Sequence, residues 1–210
     1  MIARATATFA ALAALVVPIA GQAPEPTPSE PAWTFGATAY TYFVPDDRDY
    51  VQPTFTADRD WLHLELRYNY ESLDTASAWA GYNLGFGDEL TVELTPMLGA
   101  VFGDTNGVAP GYEATLGWRR LELYSEGEYV FDTDDSSDSF FYNWSELTLT
   151  PVESFRFGIV TQRTRAYDSE RDLQRGLLLG YSGKTVDVSA IVFNPDDARP
   201  IWVFSLGLGF

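Results

Sequence analysis

The fold this chain predicts is a single antiparallel up-and-down transmembrane β-barrel of about twelve strands, an all-β architecture, and three observations predict it. Apolar residues recur with period two from Trp33 onward, longer acidic connections alternate with short ones, and Lys184 is the only lysine in 210 residues. Period two describes strands with one face in an apolar medium and the other in a wetter one. In a soluble sheet the exposed face and edges carry abundant lysine as a guard against edge pairing. Its near absence here turns the apolar face outward, toward hydrocarbon. Closing the sheet then satisfies every backbone group that lipid would leave unpaired.

Composition narrows the alternatives. The balance of 13 Lys+Arg against 30 Asp+Glu gives a net charge of −17, which repels nucleic acid as a partner. The absence of cysteine removes disulfides, thiolate metal ligands and a thiol nucleophile. Beyond the first twenty residues no apolar run approaches the roughly 20 needed for a membrane helix.

The elements follow in order. Residues 1–23 carry Arg4, an apolar stretch from Phe9 to Ala20 and small residues to Ala23, the layout of a secretory signal peptide cleaved between Ala20 and Ala23. Residues 24–31 hold four prolines and form an extended linker. Residues 32–210 form the barrel, with strands expected at 33–44, 50–57, 61–70, 77–86, 89–102, 109–118, 120–131, 140–149, 154–165, 173–182, 184–193 and 201–210. The third of these sets Leu62, Leu64, Leu66, Tyr68 and Tyr70 against His63, Glu65, Arg67 and Asn69; the fifth sets Leu90, Val92 and Leu94 against Glu89, Thr91, Glu93 and Thr95. About 15 residues per strand and connection suit membrane strands of roughly 10 residues. Aromatic residues gather at the strand ends. Trp33, Trp61, Phe86, Trp118, Phe155 and Phe210 lie on the short-turn side, and Phe43, Tyr68, Tyr70, Phe102, Tyr129, Phe131, Phe141 and Trp202 on the loop side. Amphipathic rings settle in this way at both membrane boundaries.

The last strand, Trp202-Val203-Phe204-Ser205-Leu206-Gly207-Leu208-Gly209-Phe210, alternates and ends in phenylalanine. In this it resembles bacterial outer-membrane β-barrel proteins. The resemblance implies export through the periplasm and insertion as a barrel in the Gram-negative cell outer membrane; it picks out no functional subfamily, and porin-like is the expectation of the leading function given below. It implies that Phe210 is an assembly signal read by the outer-membrane assembly machinery, and that the surroundings are outer-membrane lipid and lipopolysaccharide.

The candidate site is the wetter phase. Glu65, Glu93, Glu113, Glu122, Glu126, Glu128, Glu146 and Asp187 share it with few basic groups, chiefly Arg67, Arg120 and Arg156. A lining of one charge sign selects ions; equally, Glu and Arg pairing across strands would fill a closed lumen, and twelve strands lie between barrels that fill and barrels that conduct. His63 falls in the same phase and is expected in a lumenal hydrogen-bond network. Some twelve-stranded outer-membrane barrels are phospholipases with Ser and His on the lipid-facing wall, but His63 is out of phase with that wall and no nucleophile motif accompanies it.

Arg163, Arg165 and Arg175 flank one hairpin, and symmetry about residue 169 sets Arg163 opposite Arg175, a pair that needs an anion. Lipopolysaccharide phosphate on the outer wall is one source. Lumenal carboxylates reached through a phase-reversing bulge are the other, and are favoured by the excess acid inside. Asp132, Asp134, Asp135 and Asp138, with Asp46, Asp47 and Asp49, lack the spacing of a calcium loop and are expected as solvated loop charge. No metal site, cofactor or catalytic residue is expected. The leading expectation is a narrow passive channel or solute-binding barrel with an acidic lumen. A plugged structural or surface-interaction barrel is the alternative, and a lipid-modifying enzyme a third.

Overall fold

The computed structural model describes residues 32–166 and 172–210; the expected signal peptide, the linker and the centre of the 166–172 loop lie outside them. Thirteen strand segments build one sheet: β1 (Thr34–Phe43), β2 (Tyr50–Arg59), β3 (Leu62–Tyr68), β4 (Thr75–Tyr82), β5 (Leu84–Phe86), β6 (Leu90–Gly103), β7 (Gly107–Trp118), β8 (Leu121–Asp132), β9 (Phe140–Val152), β10 (Phe155–Ala166), β11 (Asp172–Ser182), β12 (Val186–Phe193) and β13 (Ile201–Gly209). β4 and β5 pair with successive stretches of β6 and are two halves of one stave broken at Asn83. The barrel therefore has twelve staves, each antiparallel to its neighbours. It closes where β1 pairs with β13 from Gly36↔Gly209 to Phe43↔Trp202, and Phe35 and Phe210 exchange backbone hydrogen bonds beyond that ladder.

The alternation in sequence becomes an inside and an outside. Along β13, Trp202, Phe204, Leu206 and Leu208 face out, whereas Val203, Ser205 and Gly207 are buried inward. Connections at one end are tight and turn on Asp60, Arg119 and Ser154, all with positive φ, a conformation that costs an L-residue energy but reverses the chain in few residues. At the other end the 133–139 connection is shaped by its own acids. Asp132 accepts the backbone N–H of Asp134 and Asp135, and Asp135 accepts the Ser137 amide at 2.9 Å and hydroxyl at 2.7 Å. Those donors hold the Asp135 carboxyl below the usual carboxylate range.

Aromatic rings project from both rims: Trp33, Trp61, Phe86, Trp118 and Phe155 at the turn end, and Phe43, Tyr68, Phe102, Phe131 and Trp202 at the loop end. Tyr70 departs from the expectation. Asn69 takes φ +56°, which ends β3 at Tyr68 and folds Tyr70 inward over the Arg67 guanidinium, 4.3 Å from its ring centre.

Candidate functional site: the barrel interior

The interior is divided along its length. Toward the loops it is apolar. Tyr42, Tyr142, Trp144, Val160, Leu178, Ile191, Phe193 and Val203 form a buried cluster, with Tyr40, Tyr50, Tyr70 and Tyr124 packed against it. Tyr40 of β1 meets Trp144 of β9 edge-on with ring centres 5.8 Å apart, although four strands separate them around the wall. Trp144 in turn meets Phe193 at 5.5 Å, and Tyr70 meets Tyr142 at 5.3 Å. Side chains from opposite walls thus meet across the lumen. Sequence reasoning missed it. The available signal was the loss of alternation in the later strands, where Ile159-Val160, Leu177-Leu178-Leu179 and Ile191-Val192-Phe193 are apolar on both faces.

Beside and below these rings the lining is charged. Arg67 is the hub. Its Nε and one terminal nitrogen donate to the two Glu65 oxygens at 2.8 and 3.0 Å, and the other terminal nitrogen reaches Glu128 of β8 at 2.9 Å. The guanidinium lies between the rings of Tyr70 and Trp79, 4.3 and 4.6 Å from their centres. Trp79 fits because Gly99 and Gly111 stand under it; a Cβ at these positions would come within 2.5 and 2.9 Å of the indole. Glu126 accepts the hydroxyls of Tyr70 and Tyr124, and Glu146 accepts the Trp144 indole N–H at 3.0 Å.

A second bidentate pair forms where Arg156 of β10 crosses Gly180 of β11 to reach Asp187 of β12 at 2.6 and 2.8 Å. Glu93 and Glu122 sit near the turn-end mouth on the inward phase of β6 and β8. Glu65, Arg67, Glu93, Glu113, Glu122, Glu126, Glu128, Glu146, Arg156 and Asp187 lie on the inward phase of their strands. Arg120 does not; it lies in the exposed β7–β8 turn and donates to the Pro151 carbonyl at 3.0 Å.

The basic hairpin is arranged otherwise than expected. Arg163 pairs across the ladder with Leu173, and Arg175 with Thr161, two residues out of the symmetric register. That register is continuous along the hairpin, so no bulge reverses the phase, and Arg163 and Arg175 stay on the outward phase with Phe157, Ile159 and Leu177. Arg163 lies 5.7 Å from the centre of the Phe141 ring, and Arg175 approaches Asp196 at 3.9 Å. The lumenal reading of this cluster is therefore overturned by strand register. Arg165 pairs with Phe141 through its backbone, and its side chain lies outside the described residues.

The outer wall holds one further surprise, a polar patch of Tyr112, Ser125, Asn143 and Ser145 on adjoining strands. Their hydrogen bonds close on one another and on backbone carbonyls, Ser125 to Ser145 at 2.9 Å and Asn143 to Glu126 O at 2.7 Å. Groups satisfied in this way can face hydrocarbon at small cost.

No family model and no curated protein matches the sequence. Among solved structures the chain is similar to a KdgM porin, with a TM-score of 0.59 at 12% identity over 83% of this chain and 99% of the other. A KdgM porin in complex with disordered oligogalacturonate gives a TM-score of 0.58 at 11% identity over 84% and 99%. A closed wall of twelve staves, an apolar exterior between two aromatic rings and this likeness together give the chain the fold of a bacterial outer-membrane β-barrel of the porin type.

Proposed function

We propose that this barrel acts in the bacterial outer membrane as a narrow channel or solute-binding barrel whose acidic interior favours cations, working by passage or binding rather than by catalysis. The observation that carries the reading is the interior charge. Glu65, Glu113, Glu126, Glu128, Glu146 and Asp187, with Glu93 and Glu122 at the mouth, face Arg67 and Arg156, and a low-dielectric wall focuses that excess on whatever ion enters. The porin-type fold supports passage. His63 supports it by its place, because it lies inside the barrel between Asp58 and Glu65 and away from lipid substrate.

Reversal potentials across a salt gradient in planar bilayers test the reading. Cation preference is expected, reduced by Glu93→Gln with Glu122→Gln, and weakening as the Debye length contracts from about 10 Å at 0.1 M to about 3 Å at 1 M salt. Anion preference would overturn it.

The Tyr40–Trp144 contact across the lumen favours a second reading, a plugged structural barrel. On that reading the wild-type protein is silent, and Trp144→Ala lowers stability without opening a path. On the channel reading Trp144→Ala raises conductance.

A further inference from the structure

We propose that His63, Glu65 and Glu113 form a binding site for a zinc-class divalent cation on the inner wall near the turn-end mouth. His63 Nδ1 lies 2.8 Å from Asp58 Oδ1, the same oxygen accepts Asn83 Nδ2 at 2.8 Å, and Asn83 Oδ1 accepts the Thr95 hydroxyl at 2.7 Å. This relay crosses neighbouring staves and ends on the imidazole. A carboxylate at Nδ1 fixes the ring and orients Nε2 toward the lumen, the outer support that metal-binding histidines use.

Ahead of Nε2 stand two carboxylates. Glu65 Oε2 is 3.4 Å away, and one atom each of His63, Glu65 and Glu113 lie within 4.8 Å of one another. Two ligands each about 2.1 Å from one tetrahedral ion stand about 3.4 Å apart. The Nε2–Oε2 separation of 3.4 Å equals the spacing of two such ligands.

Glu113 has no hydrogen-bond partner for its carboxylate among the described residues, and it approaches from β7, so the three ligands would join staves that are not neighbours. Arg67 occupies both Glu65 oxygens, yet each keeps a further lone pair. Arg67 is shared between Glu65 and Glu128, so the acids around His63 outnumber the basic groups and a divalent cation would reduce the excess. One imidazole with two carboxylates suits zinc and its neighbours over magnesium or calcium, which prefer all-oxygen shells. The site stands whether or not the barrel conducts.

The test is isothermal titration of chelator-washed, folded barrel in detergent with zinc chloride, repeated with calcium chloride, and with cobalt(II) absorption as a second readout. One saturable zinc site is expected, with weaker calcium binding and the visible bands of tetrahedral cobalt. Glu113→Gln, which breaks no hydrogen bond, should weaken zinc at least about tenfold with the barrel still heat-modifiable on gels. Asn83→Ala, acting through Asp58, should cost about 10–100-fold, and Glu153→Gln in the exposed β9–β10 turn should change little. Zinc affinity equal in the wild type and Glu113→Gln, calcium binding as tight as zinc, or no saturable site would each overturn the proposal.

Discussion

Arg67 carries more of this interior than any other described side chain. Its guanidinium spends its donors on Glu65 and Glu128, and both faces of its plane on Tyr70 and Trp79, all of them inside the barrel. Truncating one member of such a group leaves the others charged and undersolvated, so Arg67→Gln should destabilise the folded barrel by about 3–5 kcal/mol. Arg67→Lys should recover only part of this, because an ammonium lacks the planar fork that serves two carboxylates and stacks between rings. Urea unfolding in lipid vesicles measures both; equal stability of the wild type and Arg67→Gln would show that the network contributes nothing. Phase alone located Arg67, Glu65 and Glu128 inside. That they meet could not be inferred, since Glu128 is 61 positions away and arrives only through barrel closure.

At the level of strands, glycines mark where large side chains lie across the wall. Gly99 of β6 and Gly111 of β7 admit Trp79, and Gly180 of β11 lets Arg156 pass to β12. Gly99→Ala should therefore cost about 1–3 kcal/mol, the usual penalty for overpacking. Gly85→Ala, where a Cβ meets nothing within 4 Å, should shift the unfolding midpoint little. A Gly99→Ala midpoint no lower than that of Gly85→Ala would mean that the indole moves aside freely. Strand identity and order were legible from period-two alternation and from the spacing of loops. Two element-level features were not. The end of β3 depends on the left-handed turn at Asn69, and the register of β10 with β11 cannot be derived by assuming a symmetric hairpin, because a shift of two residues keeps every side chain on its own face.

For the whole molecule, the wall must meet lipid on one side and a filled interior on the other. Leu206, 49% exposed at the middle of β13, belongs to the lipid face. Leu206→Arg should lower the unfolding free energy in vesicles by about 2–4 kcal/mol if it lies near the bilayer midplane. Leu206→Gln should cost less, and an arginine tolerated without loss would place this wall in water. The sequence by itself determined the number of staves, through the connections that punctuate them, and their inward and outward faces and aromatic rims, through period-two patterning along each strand. The tertiary structure alone decided that Tyr40 reaches Trp144, that Arg67 reaches Glu128 and that His63 faces Glu113. Those contacts join strands that are not neighbours, and barrel curvature, which no local pattern encodes, sets which side chains span the lumen.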